Sequence, residues 1–543
     1  MTTPASPPPS SSDSPDSPDA VDVLLGRRRS GILLHPTSLP GPHGSGDFGP
    51  SAYHFVDWLV HAGQSLWQVL PLQPIGAGDS PYASVSAFAG NPLLVAQEPL
   101  VERGWLAPAT PDELAAFDAG AVRYEAVIDW RMARLRAAWA GFQAGADAAD
   151  RAALARYRDA ERDWLDDYAL FMVIDAQQRG DAATQAATDN DTGGGWTTWP
   201  APLRDRDPHA LAALRAAQAD ALGFWGFVQW CFDMQWQAVR AYAAARGIAL
   251  VGDLPIFVAH HSADCWARPD LYWLDAQGVP TVVAGVPPDA FSADGQRWGN
   301  PLYRWERFAA EDYAWWIARV RRQFALADIV RIDHFRGFAA YWAIPADCPH
   351  ATGGRWVDGP GAALFAAIRA ALGPLPVIAE DLGVITPDVE ALRRSGGFPG
   401  MKVLQFAFGA GADHPFLPHN HAPDSVAYVG THDNDTVHGW WHVSASARER
   451  EHARQYLRCD GHDAHRAMWR ALLASPARTV VMSMQDALGL DGRHRMNTPG
   501  RARGCWRWRL QWQDVPPQLA AELAVESALF GRGDFARVPL PSA

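Results

Sequence analysis

Residues 328–338 read Asp-Ile-Val-Arg-Ile-Asp-His-Phe-Arg-Gly-Phe. Ile329, Val330 and Ile332 make a short β-branched run, the pattern of a strand buried on both faces. Such a strand has no use for Arg331 and Asp333 unless they meet at its end. Two residues apart, they project to the same side. A guanidinium fixed beside Asp333 favours its carboxylate form and leaves it available as a nucleophile. Over these residues alone, a structural Arg–Asp pair at a strand end fits equally well. Two later segments repeat the construction: Pro376-Val-Ile-Ala-Glu380, and Val426-Ala-Tyr-Val-Gly-Thr-His432-Asp433. Three strands that each finish in a carboxylate imply a barrel with its catalytic groups gathered at the carboxyl ends.

The rest of the chain supplies the strands such a barrel needs. Short apolar runs occur at 31–35, 66–71, 248–257, 328–333, 376–380, 401–407, 425–430 and 479–484. Eight runs with helical stretches between them predict an α/β fold, a (β/α)8 TIM barrel. The rhythm breaks between the second and third strands. From about 100 to 245 the pattern is helical, with Leu135, Trp139 and Phe142, and again Trp164, Tyr168 and Phe171, at i, i+4 and i+7. These stripes predict a large helical insertion with its own core. After the third strand, the Gly- and Pro-bearing stretch 282–301 reads as a long loop, a candidate lid. Little chain follows the last strand, so no C-terminal β-domain is expected. Residues 1–25, rich in Pro, Ser and Asp, read as a disordered tail, and 26–543 as the catalytic domain.

Composition narrows the function. The chain has 47 Lys and Arg against 60 Asp and Glu, a net charge of −13. No basic stripe stands out, so nucleic acid is not an expected partner. No apolar run approaches the ~20 residues that span a bilayer. The five cysteines are dispersed without a CxxC pair, which fits a reducing, cytoplasmic setting. His260, His261 and Cys265 cluster, but no second ligand pair completes a tetrahedron, so no metal is expected. The 25 tryptophans suit either sugar stacking or a large aromatic core.

Several longer motifs carry a resemblance. They are Gly31-Ile-Leu-Leu-His-Pro-Thr-Ser-Leu-Pro-Gly41, Ser80-Pro-Tyr82 through Gly90-Asn-Pro92, Gly252-Asp-Leu-Pro-Ile-Phe-Val258 and Gly295-Gln-Arg-Trp-Gly-Asn-Pro-Leu-Tyr303. Arg331-Ile-Asp-His-Phe-Arg-Gly337, Ala379-Glu-Asp-Leu-Gly383, Thr431-His-Asp-Asn-Asp-Thr436 and Arg495-Met-Asn-Thr-Pro-Gly500 extend it. Together they resemble the 4-α-glucanotransferases (amylomaltases or disproportionating enzymes) of glycoside hydrolase family 77, relatives of the α-amylases.

The resemblance implies a retaining enzyme acting on malto-oligosaccharides and α-1,4-glucans without a cofactor. It implies Asp333 as nucleophile, Glu380 as general acid/base and Asp433 as the carboxylate that stabilises the transition state. Arg331 and His432 would hold the nucleophile and sugar hydroxyls. Asp253 and Tyr82 would line the subsite of the transferred glucose. Trp298 and Asp289 would belong to the lid, and Ser80 and Asn497 would contact substrate. His260, His261 and Ala290 depart from the family's usual residues and bear on acceptor preference. Two other readings remain at this level: a hydrolase using the same residues, and a glucan-binding protein on an inactivated barrel.

Overall fold

Short apolar strands need cover on both faces, and a closed sheet wrapped in helices gives it. The computed structural model describes residues 20–179, 195–288 and 294–533. In chain order its first six strands are β1 (Arg29–Leu33), β2 (Leu66–Gln68), β3 (Ala249–Leu254), β4 (Val282–Val286), β5 (Gln296–Pro301) and β6 (Ile329–Ile332). Then come β7 (Ala340–Pro345), β8 (Arg355–Asp358), β9 (Val377–Ala379), β10 (Gly400–Val403), β11 (Ser425–Tyr428) and β12 (Thr479–Ser483). Eight of them form the closed barrel β1-β2-β3-β6-β9-β10-β11-β12, and every pairing is parallel. They correspond to the eight runs read from the sequence.

Period-two alternation sorts the strand residues. Leu33, Val251, Ile329, Ile378, Met401, Val426, Tyr428 and Val481 pack together in the lumen. Ile32, Leu250, Val330, Ile332, Ala427 and Val480 point outward into the core shared with the helices. Arg331 follows Ile329 by two and so enters the barrel, where its Nε contacts Met401 Sδ at 3.4 Å. Parallel register sets Asp253 of β3 directly beside Arg331 of β6. The polar cluster is therefore fixed by strand pairing before any loop is considered.

Between β2 and β3 lie helices that include Tyr124–Gly145, Ala148–Ala160, Arg162–Arg179 and Ala219–Ala244. Leu135, Phe142, Tyr168 and Phe171 are buried there, and Phe142 meets Phe227 of the last helix at 5.1 Å. Most of the tryptophans are also buried, which favours the aromatic-core reading for the bulk of them.

The stretch after β3 differs from the expected loop. β4 and β5 pair as an antiparallel hairpin, and β7 and β8 extend them into a second sheet ordered β5-β4-β7-β8. Val282, Val283 and Val286 are β-branched, but the intervening Gly285 and following prolines made the run read as loop. The small core under this sheet, Val283, Ile344 and Ala351, comes from segments far apart in the chain.

At the amino end of the barrel, Ala20–Leu25 forms a helix where the tail was expected to continue. Leu25, just ahead of β1, is buried within the lumen cluster and helps plug that end. Residues 1–19 of the expected tail lie outside the described residues. A clasp completes the ring where β1 meets β12. The Arg532 guanidinium donates to the carbonyls of Arg29, Leu473, Ala477 and Arg478, among others, and Arg28 donates to those of Leu473, Ser475 and Phe530. After β12 the chain runs through short helical turns and irregular segments to the helix Leu519–Leu529. No described helix is long and apolar enough to cross a membrane.

Candidate active site

The carboxyl ends of β3, β6, β9 and β11 converge on one polar site. At its base, Arg331 Nη1 donates to both oxygens of Asp253, at 2.8 and 2.7 Å. Arg331 Nη2 donates to Asp333 Oδ1 at 2.8 Å. One buried guanidinium thus bridges two carboxylates, using the planar fork that lysine lacks. The Tyr82 hydroxyl donates to Asp253 Oδ2 at 2.7 Å. Burial first, and then the Asp253 charge, push the Tyr82 phenol well above its ordinary range. The charges of Arg331, Asp333 and Asp433 also act on it, so this ring sits among all of these groups.

Glu380 follows β9 directly and is buried. Its Oε2 accepts the His334 backbone N–H at 2.7 Å, and its Oε1 accepts the Leu382 N–H at 2.9 Å. The first of these needs a sharp turn after Asp333. His334 makes it, with φ of 49° in the left-handed region. Burial, and then the nearby Asp333 charge, raise the Glu380 carboxyl to about 8, against the opposing pull of Arg331 and the two amides. Desolvation and a like charge together keep this carboxyl protonated at neutral pH. Two carboxyls whose environments drive them into different roles are the mark of acid/base assignment in a hydrolytic or transfer site.

Asp433, on the loop after β11, is the most open of the three, with its side chain 46% exposed. Asn497 Nδ2 donates to its Oδ1 at 2.7 Å, and Arg495 Nη2 to its backbone carbonyl at 2.7 Å. His432 is buried and stacks on Tyr82, with centroids 5.2 Å apart and planes 16° apart. Trp506 leans on both rings, at 5.7 Å from Tyr82 and 5.9 Å from His432.

Of the remaining expected residues, Trp298 lies on β5, not in a loop, and meets the His334 ring edge-on at 4.8 Å. Ser80 Oγ accepts the Tyr82 N–H at 3.2 Å, so it shapes the turn that presents the ring. Asp289 and Ala290 lie outside the described residues. Three participants escaped the sequence reading: Trp506, whose surroundings carry no period or motif, and the backbone amides of His334 and Leu382, which no side-chain pattern reveals. Arg495 stood within a quoted motif without a role.

His260 and His261 do not line this site. His260 Nε2 pairs with the Gly278 carbonyl at 2.7 Å, and His261 Nε2 with Asp175 at 3.0 Å. The Trp196 backbone N–H donates to His261 Nδ1 at 3.1 Å. These histidines dock the helical insertion onto the loop after β3. Among the described residues, His43, Asp47 and Glu98 are the one group able to converge three ligand atoms, all within 4.8 Å. Arg131 already holds Asp47 at 2.8 Å, so a guanidinium supplies the positive charge there.

The Arg331 bridge gives a stability prediction. Arg331→Leu strands Asp253 and Asp333 without their cation, and losing one partner of a buried pair costs about 3–5 kcal/mol. Urea denaturation at pH 7 checks this, and a loss below about 1 kcal/mol would mean that water screens the site.

Comparison with known proteins places this geometry in context. The family described as 4-alpha-glucanotransferase (Glyco_hydro_77) matches residues 34–514. A 4-alpha-glucanotransferase of Thermus thermophilus is 48% identical over 504 residues, 91% of this chain and 97% of that protein. One from Synechocystis sp. is 44% identical over 513 residues, 94% of this chain and 99% of that protein. Among solved structures, the amylomaltase of Streptococcus agalactiae in complex with acarbose superposes with a TM-score of 0.87 at 35% identity, covering 94% of this chain and 100% of that one. The amylomaltase of Corynebacterium glutamicum shares the fold, with a TM-score of 0.74 at 18% identity.

Proposed function

Because the chain belongs to the 4-alpha-glucanotransferase family, glycoside hydrolase family 77, we propose that it carries out its transfer by double displacement through a covalent glycosyl-enzyme. The activity itself, 4-alpha-glucanotransfer on α-1,4-glucans, is that of the family. The observation that best supports the mechanism is the unequal pair at the carboxyl ends of β6 and β9. Asp333 is held by a guanidinium, and Glu380 is buried and raised to about 8.

Asp333 Oδ2, the oxygen not taken by Arg331, attacks the anomeric carbon. Glu380 gives its proton to the departing 4-oxygen. The donor's reducing-end fragment leaves, and the transferred segment remains as an ester on Asp333. Glu380, now ionised, takes the proton of an incoming 4-hydroxyl as that oxygen displaces Asp333. Asp433, steadied by Asn497, and His432 hold the hydroxyls of the transferred glucose as its ring flattens toward the oxocarbenium-like transition state. Tyr82 covers one face of that ring. Trp298 on β5, beside His334, narrows the acceptor side. A site that excludes water favours a sugar hydroxyl over hydrolysis.

Malto-oligosaccharides and longer α-1,4-glucans are the substrates, in keeping with the acarbose complex of the Streptococcus agalactiae relative. The five free cysteines fit a cytoplasmic, reducing setting. Incubation with pure maltotriose tests the reading. Glucose plus a ladder of longer oligosaccharides, at a constant reducing-end count, is the expected result. Rising reducing ends with only shorter products would overturn transfer in favour of hydrolysis.

A further inference from the structure

The edge of the second sheet carries an aromatic ring that the reaction leaves unused. Trp356 of β8 is 39% exposed, one of few large apolar side chains so open among the described residues. The ring is nevertheless clamped. The Arg336 guanidinium lies 3.7 Å from its centroid. Trp342, paired with it across β7 and β8, meets it edge-on at 5.2 Å and 71°. Trp342 is in turn fixed by its Nε1–H, which donates to the Ala351 carbonyl at 2.8 Å. Such cation–π and edge-to-face contacts hold an indole at a set angle.

The support of this ring leads back to the catalytic carboxylates. Arg336 is itself buried, and it stands three residues after Asp333 in the turn Phe335–Phe338. Its Nη1 donates to the Val384 carbonyl at 2.9 Å, and Val384 lies four residues after Glu380. Val384 is 48% exposed, and Asp358, two residues on from Trp356 in β8 and so on the same side of the strand, is exposed too. The result is one flat apolar ring at a set angle, with a charged neighbour able to bond hydroxyls. A single ring among charges is far smaller than the patch a protein partner needs. It matches the apolar face of one pyranose.

We propose that the outer face of Trp356 stacks a glucose unit of the acceptor chain, several units beyond the bond being formed. The assignment to the acceptor side rests on the mechanism above, in which Glu380 serves the leaving and incoming oxygens. The loop that carries Val384 continues directly from Glu380, and Arg336 ties it to Trp356. The platform selects chain length without touching the reacting atoms.

The experiment compares glucose with maltopentaose as acceptor, at a fixed saturating donor, for the wild type, Trp356→Ala and Trp356→Phe. Losing one stacked ring should raise KM for maltopentaose about fivefold or more in Trp356→Ala. KM for glucose and kcat should stay within about twofold of wild type, and Trp356→Phe should restore most of the difference. An unchanged KM at both lengths, or an equal rise at both, would overturn the platform. If Trp356→Ala does not fold, Trp356→Leu, which keeps apolar bulk without a flat face, carries the same comparison. Absence of transfer by the wild-type protein would sink the reaction itself. Transfer that persists, with a length-independent Trp356→Ala, sinks only the platform.

Discussion

Glu380→Gln should lower turnover on maltotriose by about 10²–10⁴-fold, the range for a lost general acid/base. The amide is close to isosteric, and although its NH2 cannot accept from one of the two N–H groups of His334 and Leu382, that local loss leaves the barrel strands untouched. The loss should therefore fall on chemistry, and the circular dichroism spectrum should be unchanged. A maltosyl fluoride donor separates the steps, because fluoride leaves without a proton. With that donor the variant should still form the ester on Asp333, seen by mass spectrometry, and then stall, because no base remains to take the acceptor's proton. An equally large loss of ester formation from the fluoride would assign Glu380 a structural role. In the wild type the acid must be protonated to act. With its carboxyl raised to about 8, kcat/KM should hold through neutral pH and fall as the pH rises past about 8.

Asp333→Asn should be the more severe change, on the order of 10⁴-fold or more, since it deletes the covalent route altogether. It should also alter the neighbouring acid. The Asp333 charge is, after burial, the main cause of the raised Glu380 carboxyl, so the asparagine should bring Glu380 down toward its ordinary 4.5. The sign for stability follows from linkage. A carboxyl raised in the folded state binds its proton more tightly there than in the unfolded chain. Its contribution is full below about 4.5 and is lost as the pH climbs to about 8. Melting curves of the wild type across that span should show this loss, and in Asp333→Asn the decline should end at a lower pH. A decline that ends at the same pH in both proteins would mean that burial alone sets the shift.

The strands that carry Asp333, Glu380 and Asp433 were legible because each couples a short apolar run to a carboxylate, and period-two geometry then dictates which side chains share a side. The register that joins Asp253 to Arg331 was not legible, because strand order is a property of closure and leaves no local mark. The hairpin β4–β5 was missed for a related reason. Its partner β7 lies tens of residues away, and without it Val282–Val286, interrupted by Gly285 and followed by two prolines, carries no pattern that marks it as a strand. The same distance hid Trp506. The resemblance named Tyr82 and His432, but the third ring of that stack arrives from a loop after the last barrel strand. His260 and His261 teach the opposite lesson: an unusual local cluster turned out to be joinery between the insertion and the barrel.

β1 and β12 lie side by side, with Arg29 opposite Thr479, and the Arg532 clasp seals that seam. On a ribosome, which emits the chain from its amino end, β1 must wait for some 450 further residues before its outer edge finds a partner. Through that interval the nascent sheet is an open one, with backbone donors and acceptors bare along β1 and along whichever strand was made last. Ring closure is consequently the last pairing of barrel strands in biosynthesis, and the Arg532 clasp follows it. A messenger truncated anywhere before the codons for β12 yields a product with two sticky borders, a natural client for chaperones and proteases.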